Sequence, residues 1–511
     1  MLPTFRVLSG CSASRQPTRL STSVHRIRAA VLVLALSAPA LVGAQTPAPP
    51  DAPRTGALRT EARAAATTHE FRLRNGLRLI VREDHRAPTV VHQVWYRAGS
   101  VDEVSGTTGV AHMLEHMMFR GTPAYPAGTF SRIVAELGGR DNAMTSRDYT
   151  MYYQQAEKSH LPKLMAMEAD RMANLKMAPD DFSREMKVVM EERRLRTDDS
   201  PSGTLFEQLM ANMYVASPYR HPIVGWMDDL QHMTLDDALD WYRRWYTPAN
   251  AVVVVAGDVD PQAVRAMAER TYGRVATRPL PARTLREEPP QKGIKRIAVK
   301  VPAENPSVVL AFKTPALRDV EKDADPYALD VLAAVLSGYE NARLDRLLVR
   351  EQRMADSVSA GYDGLGRGPA MFTLSATPAK GHTTEALEQA MRAEVARIAR
   401  EGVSAQELRR IKAQLVASQV YKRDSVFGQG MEIGIAEMSG ISWRQLDRML
   451  ERIQSVTSEQ VQAVAARYFG DDALTVATLV PQPLDGKARP VPGDMPTTAP
   501  TTAPASQGRP H

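Results

Sequence analysis

One pattern occurs twice in this 511-residue chain and limits the folds open to it. Residues 243–258 (RRWYTPANAVVVVAGD) and 466–480 (ARYFGDDALTVATLV) both contain an arginine, two aromatic residues, a short turn and an apolar strand. Earlier in each copy comes another apolar strand, at 90–99 in the first and at 307–315 in the second. The copies are about 217 to 223 residues apart, so the spacing is nearly constant. A repeat of this length predicts two homologous halves within one chain.

Each half alternates strands with helices. The first half begins with a hairpin pattern, FRLRNGLRLIVRED, in which Asn75 and Gly76 suit a two-residue turn. A strand and then a helical segment follow, and the second half repeats this order with SVVLAFKTP and PYALDVLAAVLSG. The alternation predicts an α/β (α+β) fold in which each half is a sheet covered by helices.

Segments rich in proline mark the ends of these halves. The charged segment 278–294 is expected to link a first half at 68–277 to a second half at 295–482. Residues 45–67 are rich in proline and alanine, and residues 483–511 are rich in proline, threonine and alanine. Neither composition can bury a hydrophobic core, so both segments are predicted to be disordered.

Residues 1–44 have the features of a signal peptide. The basic HRIR at 25–28 precedes an apolar run that is too short to span a bilayer, and VGA before Gln45 resembles a cleavage site. We therefore expect cleavage near Ala44 and export, most simply to a periplasm. The alternative is a mitochondrial transit peptide, which is also rich in arginine and serine and poor in acidic residues.

Charge and cysteine content exclude some classes of protein. The formal net charge is +6, but residues 1–44 contain five arginines and no acidic residue, which leaves +1 for the remainder. A nearly neutral chain lacks the electrostatic footprint of a nucleic-acid-binding protein. Cys11 is the single cysteine, so no disulfide is expected. It lies in LSGC, which resembles a lipoprotein box but follows no apolar run. No segment beyond residue 44 is apolar enough to predict a membrane span.

The run HMLEH at 112–116 is the strongest candidate for a chemical site. In a helix, His112 and His116 lie one turn apart on the same face. Two neutral imidazoles placed in this way can both reach a zinc ion. Glu115 lies beside His116, so its carboxylate can approach a water molecule at the metal without being a ligand. A catalytic zinc site also needs a third protein ligand and an open position.

The third ligand is sought in the segment 177–201, MAPDDFSREMKVVMEERRLRTDDSP. It has a helical apolar stripe, and Pro179 suits the first turn of a helix. Glu185 and Glu192 lie seven residues apart and share one face beside that stripe; taken alone, such carboxylates usually mark a solvated border. Four further histidines have no partner at comparable spacing and are interpreted as ordinary surface or core residues: His92, His160, His221 and His232.

The order HxxEH, together with these glutamates, resembles the pitrilysin/insulinase family of inverted zinc peptidases. In that family the third ligand lies 76 or 77 positions after the second histidine, which from His116 implies Glu192. The family's accessory glutamate, seven residues earlier, corresponds to Glu185. The resemblance runs from about residue 69 to about residue 480. It implies one Zn²⁺ per chain held by His112, His116 and Glu192, with Glu115 as the general base.

A weaker feature is the run Asn142, Ala143, Met144 and Thr145. Its pattern predicts a strand after the turn at Gly138-Gly139, and most such strands are only structural. In the resembling family the corresponding segment is an edge strand that pairs with the substrate backbone. Pairing through the main chain suits an enzyme that tolerates many side chains.

The leading hypothesis is an exported zinc endopeptidase that hydrolyses oligopeptides or unfolded segments. The first alternative is a non-catalytic subunit, because the family includes members that have lost the zinc motif. A second alternative is the mitochondrial processing peptidase itself, which would require residues 1–44 to be a transit peptide. All four motif residues are intact, which favours the enzyme: His112, Glu115, His116 and Glu192.

The second half is expected to lack a metal site, because alignment puts Asp330, Ala333 and Ala334 where ligands and base would stand. Family members with a complete site also have an arginine and a tyrosine, seven apart, facing the zinc. Arg350 could be that arginine, but Asp356 stands about where the tyrosine belongs, unless a shifted alignment selects Tyr362 instead.

The clamshell expected for the family consists of four such units, and this chain supplies two of them. We therefore expect a heterodimer with a member that lacks HxxEH and carries the Arg/Tyr pair, with a homodimer as the alternative.

Overall fold

The computed structural model describes residues 67–283, 286–339 and 341–484. The predicted signal peptide at 1–44, nearly all of the predicted disordered segment 45–67 and the tail from residue 485 lie outside these residues.

The first half contains a six-stranded sheet in the order β1-β2-β6-β3-β5-β4. Only β2 and β6 run parallel, and every other neighbouring pair is antiparallel. The strands are β1 Thr68–Arg72, β2 Arg78–Glu83, β3 Thr89–Tyr96, β4 Arg140–Thr145, β5 Thr150–Glu157 and β6 Ala251–Gly257.

The second half contains a five-stranded sheet in the order β7-β11-β8-β10-β9. Its one parallel pair is β7 and β11. The strands are β7 Lys295–Pro302, β8 Ser307–Thr314, β9 Ala355–Asp363, β10 Ala370–Pro378 and β11 Leu474–Gln482. This order matches β2-β6-β3-β5-β4 strand for strand, which confirms the predicted α/β fold with two homologous halves.

Helices cover both sheets. Those of the first half are α1 Val110–Met117, α2 Thr129–Glu136, α3 Leu161–Asn174, α4 Pro179–Arg193, α5 Pro201–Met213, α6 Met227–His232, α7 Leu235–Trp245 and α8 Pro261–Arg270. Those of the second half are α9 Asp325–Leu336, α10 Thr384–Glu401, α11 Ala405–Lys422, α12 Val426–Ser439, α13 Leu446–Ser455 and α14 Ser458–Tyr468. None of these helices, in the part of the chain that the structure describes, is both long and apolar enough to cross a bilayer.

The two halves exchange helices. Helix α12 of the second half packs on the first sheet, where Ile433 and Met438 join a core with Trp95 and Val254. Gly434 permits this approach, because a Cβ atom there would lie 2.1 Å from the Trp95 ring. The two halves therefore share this smaller hydrophobic core.

The reverse contact is made by α5 of the first half, which packs on the second sheet. Its residues Leu205, Leu209 and Met213 share a core with Ala311 and Ala477. The segment between the halves is also held in place, since the Glu288 carboxylate accepts hydrogen bonds from the backbone of 215–217 and from Lys313. Glu288 thus attaches its part of the connection to both halves.

Candidate metal centre

Helix α1 carries the HMLEH run, and its amino end is fixed by two carboxylates. The buried Glu103 accepts hydrogen bonds from the backbone N–H groups of Gly109 and Ala111, both at 2.9 Å. Burial raises the pKa of Glu103 to about 8, although these N–H groups oppose the shift. Asp229 accepts from the backbone N–H and the hydroxyl of Thr108. These hydrogen bonds therefore fix the first turn of α1 independently of any metal ion.

The two histidines of α1 meet Glu192 of α4. The rings of His112 and His116 are 4.7 Å apart between centroids and are inclined by 73°. The Oε2 atom of Glu192 lies 3.2 Å from Nε2 of His116 and 3.7 Å from Nε2 of His112. One nitrogen or oxygen from each of the three residues lies within 4.8 Å of the others. The structure thus brings together the three residues predicted as ligands.

This donor set fits a zinc ion. Two imidazole nitrogens and one carboxylate oxygen form a common ligand set of catalytic zinc sites. The Oε2 atom of Glu192, which faces both imidazoles, is buried without a hydrogen-bond partner among the described residues. Burial lowers the pKa of His112 to about 3, so its ring is neutral near pH 7, the form that binds metals. Buried polar atoms without partners in such a cluster call for a ligand.

Glu185 supports this cluster from about two turns earlier on α4. Its Oε1 atom lies 2.9 Å from Nδ1 of His116, which leaves Nε2 of that ring directed at Glu192. Its other oxygen contacts Arg120. Arg196 likewise lies 2.7 Å from Oε1 of Glu192. Groups of this kind orient metal-binding side chains.

Glu115 is buried beside the cluster, and its partner is Thr145. The Thr145 hydroxyl donates a hydrogen bond to Oε2 of Glu115 at 2.5 Å. Burial raises the pKa of Glu115, and the Thr145 hydrogen bond and the neighbouring His116 oppose that shift. Thr145 was predicted only as a residue that contacts substrate; the structure gives it a second contact, with the candidate base.

The segment Asn142–Thr145 lies on β4, the outermost strand of its sheet. Strand β4 pairs with β5 alone, so its other edge faces no strand among the described residues. All four residues line the same cleft as His112, Glu115 and His116. The predicted edge strand is therefore present, and its contact with substrate stays a prediction.

The cleft has a volume of about 500 Å³ and is lined, among described residues, by the first half alone. Its far wall comes from α5 and from the loop that follows. Sequence reasoning missed several of these residues and treated His221 as an ordinary histidine: Arg147, Phe206, Arg220 and His221. No local spacing marks them, because Phe206, Arg220 and His221 reach the cleft through the packing of α5 and its following loop, and Arg147 reaches it from the turn after β4.

The counterpart positions of the second half are arranged differently. Asp330, Ala333 and Ala334 lie on α9, which follows β8 as α1 follows β3. Arg350 is exposed and donates to Oδ1 of Asn341 at 3.1 Å. The Tyr362 hydroxyl donates to the carbonyl oxygen of Pro315. None of the residues considered for the Arg/Tyr pair lines the cleft at α1.

Comparisons with known proteins agree with this arrangement. The family model described as Insulinase (Peptidase family M16) matches residues 78–225, and the Peptidase M16 inactive domain matches residues 232–415. The chain is 35% identical over 288 residues to the zinc protease PqqE of Helicobacter pylori. That alignment covers 55% of this chain and 64% of the relative, so this chain spans just under two thirds of PqqE.

Solved structures share the fold. A protease from Helicobacter pylori has a TM-score of 0.77 and 30% identity, covering 81% of this chain and 99% of that one. The periplasmic protease PqqL from Escherichia coli, at 18% identity and a TM-score of 0.69, is similar in fold alone; the match covers 81% of this chain and 48% of PqqL. The HxxEH helix, the family models and the 30% identical protease lead to one conclusion. The chain belongs to the insulinase family, peptidase family M16.

Proposed function

We propose that this chain is a zinc-dependent endopeptidase that hydrolyses oligopeptides or unfolded segments of proteins. The observation that carries the proposal is the convergence of His112, His116 and Glu192 beside the buried carboxylate of Glu115. Membership of a peptidase family and relatives named zinc proteases support it. The match to an inactive domain does not oppose it, because that match begins at residue 232, after every residue of the cluster.

In the proposed mechanism His112, His116 and Glu192 hold one zinc ion. A bound zinc ion lowers the pKa of a water molecule and polarises the carbonyl of the scissile bond. Glu115 takes the proton from the attacking water and passes it to the leaving amine. The Thr145 hydroxyl orients the Glu115 carboxylate. Glu185 holds the His116 ring in the orientation that faces Glu192.

The proposed substrate class follows from the free edge of β4. A peptide in extended conformation would add to Asn142–Thr145 through main-chain hydrogen bonds and lie across the cluster. A folded protein offers few segments with an unpaired backbone, because its strands and helices already use those groups. We therefore propose that short or unfolded chains are cleaved and that stable globular proteins are spared.

We propose that the protein acts after export, most simply in a periplasm. The support is the pattern of residues 1–44, in which a basic segment precedes a short apolar run. The fold neighbour PqqL is described as periplasmic, which agrees with this location without establishing it for this chain.

A second subunit completes the proposed enzyme. Every described residue that lines the cleft belongs to the first half, and no candidate arginine or tyrosine of the second half reaches it. The match also covers only 48% of PqqL, so that protein is about twice as long as the region it shares with this chain. We propose a heterodimer with a family member that lacks HxxEH, with a homodimer as the alternative.

Zinc content and peptide turnover test the function together. Glu115→Gln should retain one zinc per chain, because Glu115 is not a ligand, while turnover falls by about 10² to 10⁴-fold. Glu191→Gln is the matched control, because Glu191 lies on α4 but is exposed and pairs with Arg194. Turnover near the wild-type rate in Glu115→Gln would refute the role of Glu115, and a wild-type chain that binds no zinc would refute the proposal.

A further inference from the structure

Arg147 lies at the edge of the cleft and has no carboxylate partner in the described part of the chain. It follows β4 by two residues and lines the same cleft as His112. Its guanidinium carbon is 5.9 Å from the centre of the Phe206 ring and 5.7 Å from that of Tyr219. The Nε atom is buried and has no hydrogen-bond acceptor. Aromatic faces hold this cation in position while its donors remain unused.

Two acidic residues that line the same cleft are paired with other arginines. Glu207, on the opposite wall, pairs with Arg193 at 2.6 Å, and Glu192 pairs with Arg196 at 2.7 Å. Burial raises the pKa of Asp363 in the second half and the charge of Arg147 opposes that shift, but the two side chains form no ion pair among the described residues. A cation with unused donors therefore faces the space that the peptide would occupy.

Two neighbouring residues add donors to the same wall. Arg220 is exposed and, in the part of the chain that the structure describes, donates only to the carbonyl oxygen of Val215, at 3.2 Å. His221 is 9% exposed, and its Nδ1 atom is buried without a partner. Tyr219, directly before them, lies under Arg147, so the loop brings these groups to the same side of the cleft.

We propose that Arg147, with Arg220 and His221, forms a subsite that binds a carboxylate of the peptide substrate. This inference rests on the proposed function, since it gives the peptidase a preference for acidic substrates. A guanidinium binds a carboxylate through two parallel hydrogen bonds, which no amide or hydroxyl can match. Because Arg147 follows the strand that holds Glu115 through Thr145, the carboxylate lies within a few residues of the scissile bond.

The first test compares peptides on the wild-type chain. In a neutral decapeptide, a single glutamate is moved through every position and compared with glutamine at the same position. Each peptide is made with a free C-terminal carboxylate and with an amide. The subsite predicts that kcat/KM is about tenfold higher for the acid at one position. A glutamate effect assigns the subsite to a side chain, whereas an effect of the free terminus alone assigns it to the C-terminal carboxylate.

Variants test whether Arg147 causes that preference. The ratio of kcat/KM for the acidic peptide to that for the neutral peptide should fall to about one in Arg147→Gln. In Arg147→Glu a peptide with lysine at that position should become the preferred substrate. Arg140→Gln is the matched control, because Arg140 lies at the other end of β4, is exposed and bonds to Gln155. The control should keep the wild-type ratio.

Binding measurements separate this inference from the proposed function. The same labelled peptides are titrated against Glu115→Gln, and fluorescence anisotropy reports the dissociation constants. A preference for the acidic peptide without turnover by the wild type would support the subsite and refute the peptidase. Turnover by the wild type with equal efficiency on acidic and neutral peptides would refute the subsite and leave the peptidase standing.

Discussion

The two halves of this molecule have the same strand order but bury different groups in their corresponding helices. Helix α1 buries His112, Glu115 and His116, whereas α9 buries Ala333 and Ala334 at the matching positions. Burying ionisable groups costs free energy unless hydrogen bonds or a metal offset that cost. In the first half Glu185, Arg120 and Arg196 supply such contacts.

The fold does not require the polar cluster of α1. A sheet with the same topology folds over an apolar helix in the second half, so the polar cluster of α1 is an addition to the architecture. Substitutions at matching positions should therefore have different effects in the two halves.

The largest effect is expected at the first matching position. His112→Ala removes a proposed ligand, so bound zinc should be lost and peptide turnover should fall by about 10³-fold or more. Asp330→Ala, at the same position of α9, should retain one zinc per chain and at least half of the turnover. Metal analysis and a peptide assay measure both variants. A fully zinc-loaded His112→Ala would show that the ligand assignment is wrong.

An intermediate effect is expected at the amino ends of these two helices. Glu103→Ala leaves the N–H groups of Gly109 and Ala111 buried without acceptors, which should lower the free energy of unfolding by about 3 kcal/mol. Asp325, at the start of α9, bonds instead to Arg467 and Tyr468 near the surface. Asp325→Ala should therefore cost about 1 kcal/mol or less. Urea unfolding measures the free energy of unfolding of both variants. Equal decreases in the two variants would contradict the role given to Glu103.

The smallest effect depends on pH and concerns α9. Burial raises the pKa of Asp330 from its ordinary 3.8 to about 7, although the charge of Lys422 opposes the shift. Between these values the folded chain keeps a proton that the unfolded chain has released, so this carboxyl destabilises the fold increasingly as the pH rises towards 7. Asp330→Asn should raise the free energy of unfolding, and this increase should be about 2 kcal/mol larger at pH 8 than at pH 5.

The exposed Asp228 supplies the control for that measurement. Asp228→Asn should change stability equally little at both pH values, because its side chain is 85% exposed. If Asp330→Asn raised the free energy of unfolding equally at both pH values, the Asp330 carboxyl would titrate in the folded chain as it does in the unfolded chain.

Local patterns in the sequence predicted the helices and strands better than they predicted the contacts between these elements. The strand expected at 307–315 is Ser307–Thr314, and the helix expected to start at Pro179 does start there. Their apolar spacing and the proline are local signals, so the neighbouring residues suffice to identify them. The α/β halves followed from these elements and from the repeat.

The site needed information that local patterns do not contain. Glu192 is 76 positions from His116, and only the resemblance to a family distinguished it from a solvated glutamate. The roles of Glu103 and His221 depend on packing between segments that are distant in the chain, and no spacing marks them. The helix exchange had one overlooked signal, since Gly430 and Gly434 are spaced four apart on the face of α12 that meets the first sheet.

That exchange has a consequence for how the chain folds. Because α5 completes the core of the second half and α12 completes the core of the first, neither half contains all of its own hydrophobic interior. A fragment ending at the proline-rich connection would leave Trp95 and Val254 open to water on one face. Each half therefore stabilises the other, and we expect the two halves to unfold together rather than one at a time.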